Sequence, residues 1–370
     1  PARGIGPNGI DMGAHVARWE SVMGVPAPPA TPLDSALLNI GGPGILTYRY
    51  SLDGGDFGPE TAITTPISLS GLAPGEHQVA LIGKNSAGVW QKESEATFSA
   101  AWTVDPAAPG VRINELLAAN VSAHALPDGS YPDVIELYNA SGTGIDLSGY
   151  QLTDDPLVPD KYVLPEKTIL PAWSYLLLYG GSGAEPGALY TGFLLHPGGE
   201  QVELRDSAGT LIDSTSFGTQ AADFSIGEVN ESGEWGLCIP TPGAANRRAP
   251  LGNPSDIVLN EWLSSPRVHL GGDFIELYNP GIHPVALAGL ALSDRPSSEP
   301  RKQLIPALSY VGPAGHTTFY GEHSGSPDGL EFGLSSFQGW VGLLGPDGTV
   351  IDQVAYQSQG EDSSRGRIPD

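Results

Sequence analysis

Two pairs of glutamates occupy matching places in the two halves of this sequence. Glu115 and Glu136 form the first pair, and Glu261 and Glu276 form the second. Two carboxyl groups can serve as acid and base in glycoside hydrolysis, so both pairs are candidate catalytic groups. Their recurrence argues against this chemistry because a small domain seldom appears twice with two identical active sites. We therefore expect all four glutamates to make structural hydrogen bonds.

Acidic side chains in loops rich in Gly or Pro could supply oxygen ligands to Ca²⁺. Three groups qualify: Asp53 with Asp56, Asp128 with Asp133, and Asp154 with Asp155 and Asp160. None has the spacing of an EF-hand, so solvated loop carboxylates are the favoured interpretation and Ca²⁺ is the alternative. His316 and His323 have no third ligand nearby in the sequence. We predict no catalytic, cofactor-binding or metal-binding residue.

Other motifs that carry chemistry are weak here. The segment 4–9 matches GxGxxG formally, but no strand precedes it and Pro7 lies inside the supposed turn. There is no P-loop, and no Gly-x-Ser-x-Gly segment that would mark a nucleophilic serine. Asn120, Asn139 and Asn230 begin Asn-x-Ser sequons, which we interpret as chance matches.

The candidate residues lie in two copies of one longer pattern. The segment IELYN occurs letter for letter at 135–139 and at 275–279. The first copy is accompanied by INE at 113–115, DLSGYQLTD at 146–154 and GTLID at 209–213. The second copy is accompanied, in the same order, by LNE at 259–261, LAGLALSD at 287–294 and GTVID at 348–352. Matched segments in a fixed order, separated by variable loops, indicate two copies of one domain.

These segments, together with GEQVEL at 199–204 and the closing PTPGAAN at 240–246, resemble the lamin tail domain as it occurs in secreted bacterial proteins. The resemblance implies an immunoglobulin-like β-sandwich for 109–249. The second copy, 254–370, matches more loosely, and GWVGLL at 339–344 replaces GEQVEL. We place Asp213 and Ser214 at a turn, and Arg365 and Arg367 on the surface or in a turn.

A further unit, 33–106, precedes the two copies. Short alternating segments are bounded by turns such as 53–56, which favours β-strands. The stretch 69–88 resembles the strand-crossing corner of fibronectin type III and related immunoglobulin-like domains. That family has a tyrosine after the Pro-Gly turn, and its hydroxyl caps the corner. His77 replaces it here. We interpret Trp90 and Trp102 as core residues, with a sugar-stacking platform as the alternative.

Composition limits the class of protein and its partners. The chain has 370 residues, with 50 Gly, 34 Pro and 40% hydrophobic residues, which favours a turn-rich all-β fold. A formal net charge of −25 would repel a phosphate backbone, so we predict no nucleic-acid partner. The single cysteine, Cys238, has no partner for an internal disulfide. No apolar run is long enough to span a membrane.

We predict three tandem immunoglobulin-like β-sandwich domains, at 33–106, 109–249 and 254–370, joined by linkers near 105–110 and 247–255. Alignment of the two copies indicates that the last domain lacks its final strand. Residues 1–32 are predicted to be a leader with a Pro-rich linker. Within it, 10–15 resembles the end of a right-handed parallel β-helix, which implies such a domain upstream.

The leading functional hypothesis is a non-catalytic spacer or binding region of a large secreted or surface bacterial protein, with a role in adhesion or display. Its expected partners are polysaccharide or another surface protein, and the upstream domain of the same chain. The alternative is an accessory region of a polysaccharide-degrading enzyme whose catalytic domain lies upstream. A nuclear intermediate-filament protein is excluded because the chain has no heptad coiled coil and no basic patch.

Overall fold

The protein is all-β. The computed structural model describes residues 30–31, 34, 36–38, 40, 45–63, 65, 67–85, 87–99, 101–106, 110–229, 234–267, 272–323 and 325–368. Within these ranges the chain forms strands and three short 3₁₀ helices, at Glu93–Glu95, Pro254–Asp256 and Gly321–His323, and no α-helix. The GxGxxG match, the β-helix-like segment and Asn230 lie outside the described residues.

The first module, 30–106, contains nine strands: β1 Ala30–Thr31, β2 Ala36–Leu38, β3 Ile45–Leu52, β4 Thr61–Ala62, β5 Ile67–Leu69, β6 Gly75–His77, β7 Val79–Asn85, β8 Thr97–Phe98 and β9 Trp102–Val104. They form sheets in the orders β4-β3-β7-β8, β1-β9-β6 and β2-β5. Apolar side chains from all three sheets, including Tyr48, Ile67 and Trp102, meet in one buried cluster. This arrangement is a β-sandwich with its own core.

The second module, 110–249, contains thirteen strands: β10 Val111–Leu117, β11 Val134–Asn139, β12 Ile145–Asp146, β13 Gln151–Thr153, β14 Tyr162–Val163, β15 Ile169–Leu170, β16 Tyr175–Tyr179, β17 Leu189–Tyr190, β18 Glu200–Arg205, β19 Leu211–Phe217, β20 Ser225–Glu228, β21 Trp235–Ile239 and β22 Arg247–Arg248. The large sheet has the order β17-β16-β11-β10-β20-β21-β22. The order β14-β13-β18-β19 forms the facing sheet, and β12 pairs with β15.

The third module, 254–368, contains ten strands: β23 Val258–Leu263, β24 Phe274–Tyr278, β25 Val285–Ala286, β26 Ala291–Ser293, β27 Gln303–Leu304, β28 Tyr310–Val311, β29 His316–Tyr320, β30 Gln338–Leu344, β31 Val350–Gln357 and β32 Arg365–Gly366. Its sheets, β29-β24-β23-β32, β27-β26-β30-β31 and β25-β28, repeat the strand order of the second module, with only an isolated bridge between Tyr320 and Gly329 at the place of β17. In the described residues, β32 ends the large sheet, and nothing there corresponds to β21 and β22.

The duplicated motifs produce the same local structure twice. Residues 113–115 and 259–261 each shift the register of their strand, with the bulge at the asparagine. Gly149 and Gly289 lie at the ends of the turns in the segments DLSGYQLTD and LAGLALSD, with φ of 77° and 78°. Glycine adopts this left-handed conformation without steric cost. Both IELY segments have a strand paired on each side, but they differ in burial: residues 135–137 are all buried, whereas 275–278 alternate between buried and half-buried.

The modules are docked against one another. Tyr310 of the third module is buried in the core cluster of the second, and its N–H donates to the carbonyl of Thr219 at 2.7 Å. The amide of Gln220 donates to the carbonyl of Leu308, also at 2.7 Å. Arg301 of the third module is buried and donates from Nη1 to the carbonyl of Ile45 in the first module at 2.7 Å. The first and third modules are therefore in contact, which a linear string of domains would not allow.

Candidate functional site

Glu115 and Glu136 face each other across β10 and β11 and are almost completely buried. Glu115 accepts hydrogen bonds from the hydroxyl of Ser225 at 2.5 Å and from the N–H of Thr241 at 3.1 Å. Glu136 accepts from the side-chain amide of Asn114 at 2.6 Å and from the N–H of Gly243 at 2.5 Å. Both glutamates therefore hold the closing segment, 240–246, against the large sheet.

This environment sets the protonation of the pair. Burial raises the pKa of Glu136 to about 7, more than the N–H groups of Gly243 and Asn114 can offset, and the neighbouring Glu115 adds to the rise. Burial also raises the pKa of Glu115. A raised carboxyl pKa is common at active sites. Here the carboxyl oxygens are already bonded to the protein, so the pair is a structural latch.

The third module retains only part of this latch. The amide of Asn260 donates to Glu276 at 2.9 Å, as Asn114 does to Glu136. Thr318 is the only other donor to Glu276 among the described residues, at 3.5 Å. The side chain of Glu261 is half-buried and accepts no hydrogen bond from a described residue, so the expectation of a structural hydrogen bond was wrong for this glutamate. In the second module the additional donors are the hydroxyl of Ser225 on β20 and the N–H groups of Thr241 and Gly243 in the segment 240–246.

The aspartates of the two GT-x-ID segments link the two sheets of each sandwich. Asp213 accepts from the N–H of Ile113 at 2.7 Å, and Asp352 accepts from the N–H of Leu259 at 2.8 Å. The placement of Asp213 and Ser214 at a turn was wrong, because both lie inside β19. Each aspartate accepts a hydrogen bond from an N–H next to the bulge, where the register shift interrupts the backbone hydrogen bonds between neighbouring strands.

Asn139 and Asn279, which follow the two IELY segments, are fully buried. The amide of Asn139 donates to the carbonyls of Thr143, Leu170 and Pro171 at 2.8 to 3.1 Å, and its oxygen accepts from the N–H of Ser141 at 2.9 Å. Asn279 repeats this set of contacts in the third module with His283, Gly312 and Gly281. Each asparagine thus joins two loops through one side chain.

Each acidic loop has at least one carboxylate that is bonded to another group of the protein. Asp53 bonds His77, Asp128 bonds Ser130, Asp133 accepts from the N–H of Leu195, and Asp154 pairs with Lys161. No group of three or more His, Cys, Asp or Glu side chains in the described part of the chain is placed to hold a metal ion. Ca²⁺ in these loops therefore has no support from the geometry.

The remaining candidates are separated or buried. His316 stacks on Tyr278, whereas His323 bonds Asp328. The sequon residue Asn120 is buried and bonded to two carbonyls, and Asn139 is fully buried. Both asparagine side chains therefore hold loops in place.

His77 takes the place of the corner tyrosine. It is buried, and its Nε2 lies 2.7 Å from the carbonyl of Ala73, which is the kind of upstream backbone contact that the tyrosine hydroxyl makes. Its Nδ1 lies 2.7 Å from Oδ2 of Asp53. Both partners accept hydrogen bonds, so these contacts favour the imidazolium, in which both ring nitrogens carry protons. The carbonyl of Ala73, followed by Asp53, raises the pKa of His77.

We predict that His77 titrates above the ordinary histidine pKa of about 6.5. Its contribution to the stability of the first module is fully present below that pH and is lost as the pH rises through the folded pKa. NMR titration of the imidazole measures this midpoint, and Asp53→Asn should lower it. A midpoint at or below 6.5, or no change in Asp53→Asn, would show that the pair is not charged.

The two tryptophans of the first module differ. Trp102 is buried in the core as predicted, 5.7 Å from the ring of His77. Trp90 is only half-buried, and the core interpretation was wrong for it. The guanidinium of Arg49 lies 4.7 Å from its ring centre and the ammonium of Lys84 lies 5.4 Å away. Cation–π contacts therefore already occupy Trp90.

An open depression of about 580 Å³ lies on the third module, lined by Ser264, Ser265, Pro266, Gly272, Asp273, Gly321 and the segment 330–333. Asp273 accepts from the N–H of Leu334 at 2.5 Å, and burial raises its pKa. The acid here supports a loop, as Asp133 does in the second module. The hydroxyl of Ser264, which also lines the depression, donates to the side-chain oxygen of Gln359.

The described part of the chain contains no helix long and apolar enough to cross a membrane.

The fold and these contacts define a tandem array of immunoglobulin-like β-sandwich modules. Residues 105–219 match the family model of the lamin tail domain, so the second module contains a lamin tail domain. The match includes both latch glutamates but ends before β20, so the partners of the latch at Ser225, Thr241 and Gly243 lie beyond the matched part. No curated protein matches the chain.

Solved structures with some likeness to the chain include the central fibronectin-III array of RIM-binding protein, at 11% identity and a TM-score of 0.17 over 92% of this chain and 100% of that one. Another is SGBP-B of the Bacteroides ovatus mixed-linkage glucan utilization locus, at 13% identity and 0.17 over 99% and 66%. A DUF4876 family protein from Bacteroides thetaiotaomicron has 10% identity and a TM-score of 0.15 over 88% of this chain and 92% of that one. Scores this low do not indicate a shared function.

Proposed function

We propose that this chain is a non-catalytic binding and display region of a larger secreted or surface bacterial protein. The observation that carries the proposal is the docking of its modules through buried contacts. Tyr310 enters the core of the second module, and Arg301 reaches the backbone of the first. Flexible linkers between independent domains would not need such contacts. A docked array presents its surfaces in fixed directions, which suits display better than simple spacing.

The polar residues support a non-catalytic role. Two carboxylates that act as acid and base must reach a substrate. In the second module, Glu115 and Glu136 are buried and bonded to 240–246. In the third module the corresponding pair has fewer partners, and no group of described side chains there is placed to hold a metal ion. The recurrence of these acids is therefore explained by the shared fold, and no catalytic reaction is needed to account for it.

A second candidate function is an accessory region of a polysaccharide-degrading enzyme. Trp340, which is exposed on β30 of the third module, favours it, because aromatic rings on open surfaces can bind sugars. The two proposals differ in what lies upstream of Pro1. A domain there with paired catalytic carboxylates would favour the accessory role, and further non-catalytic modules would favour display.

Gly218 provides the test of docking. A Cβ atom there would lie 1.9 Å from Oγ of Ser309, and Pro306 is also close, so a side chain at 218 should separate the second and third modules. We expect Gly218→Val to increase the radius of gyration measured by small-angle X-ray scattering while the circular dichroism of the β-sheets stays unchanged. In Gly142→Val, the new Cβ would meet only Trp173, at 3.9 Å, so this control should scatter like the wild type. Equal scattering from all three proteins would contradict the docked arrangement.

A further inference from the structure

The outer face of the β30–β31 hairpin differs in character from the same face of the second module. Directly opposite residues on these strands are Gln338 with Gln357, Trp340 with Ala355, and Gly342 with Gln353. Opposite residues of an antiparallel pair point to the same side of the sheet. Val341 and Leu343, which alternate with them on β30, are fully buried in the core. The outer face therefore carries one tryptophan among three glutamines.

Trp340 is available for contact. It is 47% exposed, and neither another aromatic ring nor a cationic group of the described residues stacks on it. The residue opposite is alanine, and the next outward residue on its own strand is Gly342, so neither of these neighbours projects a long side chain beside the indole. Phe337, just before the strand, is 79% exposed.

The three glutamines lie at positions from which they can reach a ligand on this indole. Diagonal neighbours on an antiparallel pair are about 7–8 Å apart, which places Gln353 and Gln357 on either side of Trp340. All three are exposed, and their amides form no hydrogen bond with the described residues. Each amide has two donors and an acceptor oxygen, which complements neighbouring hydroxyl groups that both donate and accept.

The second module shows what this face looks like when its own groups satisfy it. Pairing with β13 and β26 makes Gln201 equivalent to Trp340, and Glu203 equivalent to Gly342. Gln201 donates to Glu203 at 3.1 Å, and Arg205 donates to the same carboxylate at 2.7 Å. On this face of the second module, polar and charged side chains bond one another. On the third module, the same face carries the exposed indole of Trp340 and glutamine amides that have no hydrogen-bond partner among the described residues.

We propose that this face, comprising Gln338, Trp340, Gln353 and Gln357, binds a neutral polysaccharide. The apolar face of a sugar ring packs on the indole, and its hydroxyl groups bond to the amides. The net charge of −25 and the lack of cationic side chains on the face disfavour an anionic polymer. The site gives the proposed binding role a ligand class and rests on that role, but it does not depend on docking of the modules.

Affinity electrophoresis of the whole chain tests the site. The gels contain hydroxyethyl cellulose, galactomannan or arabinoxylan as neutral polymers, and polygalacturonate as the anionic control. We expect at least one neutral polymer to retard the wild type. Trp340→Ala should weaken that binding at least tenfold, Trp340→Phe should weaken it less, and Gln353→Ala with Gln357→Ala should weaken it about threefold to tenfold, for amides that bond the sugar.

Trp173→Ala is the matched control, because Trp173 is 61% exposed on the second module. It should bind like the wild type. Circular dichroism should show that Trp340→Ala is folded, since the indole of Trp340 lies on the outer face of the sheet and not in the core. The proposal is overturned if none of the three neutral polymers retards the wild type, if Trp340→Ala binds as well as the wild type, or if polygalacturonate binds more strongly. Such a result would leave the scattering test of docking unaffected.

Discussion

Replacement of Asn139 by alanine is expected to lower the free energy of unfolding of the second module by about 3–5 kcal/mol. The substitution leaves the carbonyls of Leu170 and Pro171 and the N–H of Ser141 without their partner. A buried polar group without a partner costs about 1–3 kcal/mol. The side chain is fully buried, so water cannot replace it without rearrangement of both loops.

Asn279→Ala should lower the free energy of unfolding of the third module by the same amount because the contacts are duplicated. Asn85→Ala is the control, since its oxygen also accepts two loop N–H groups but lies near solvent, and we expect about 1 kcal/mol there. Urea unfolding gives the free energies, and hydrogen exchange by mass spectrometry assigns each loss to a module. If either buried variant is within 1 kcal/mol of the wild type, the asparagines do not hold the loops.

The second large effect concerns the latch. Glu136→Ala removes the acceptor for the N–H of Gly243 and for the amide of Asn114, and we expect a loss of about 3 kcal/mol at pH 6. Glu276→Ala should cost only about 1 kcal/mol because Asn260 is its one close partner among the described residues. Urea unfolding of the two variants measures the difference. Equal losses would contradict the latch, since the strands that carry both glutamates are otherwise equivalent.

The pKa of Glu136 adds a pH dependence with a definite sign. Burial raises it to about 7, against about 4.3 for an unfolded glutamate. Between these values the native state binds more protons than the unfolded state, so the free energy of unfolding falls as the pH rises. The stability from this group is complete below the unfolded pKa and is lost as the pH passes about 7. Glu136→Gln should flatten the fall, and an unchanged slope would mean that Glu136 does not titrate in this range.

The repeat made most of the fold predictable. Recurrence of IELYN and its neighbouring segments identified two copies of one sandwich, and it also indicated that the repeated glutamates are structural. Both asparagine bulges and both left-handed glycines follow from the same duplication. Local sequence was sufficient here because each motif determines its own turn or bulge.

Contacts between distant residues were not predictable in this way. Asp213 was placed at a turn because it follows a pair of apolar residues, but it bonds the N–H of Ile113, which is 100 positions away. The strand at 339–344 corresponds to 200–205 and not to 199–204, because pairing with β26 sets its register. The outward direction of Trp340 depends on that register.

Docking of the modules also has no local signal. Tyr310 and Arg301 look like ordinary residues of the third module, and only the packed arrangement places them against the second and first. His77 is intermediate. Its position after the Pro-Gly turn identified the corner, but the part played by Asp53 required the fold, because 24 positions separate the two residues.

Hydrogen exchange at Thr241 and Gly243 tests most directly whether the repeated carboxylates hold backbone. We predict that both amides are protected in the wild type and that Glu136→Ala, which removes the acceptor for the N–H of Gly243, speeds the exchange of Gly243 about 10- to 100-fold, corresponding to the loss of a few kcal/mol of local stability. Glu276→Ala should leave them unchanged. Rapid exchange of both amides in the wild type, or the same rate in Glu136→Ala, would contradict the account and return the glutamate pair to the list of reactive groups.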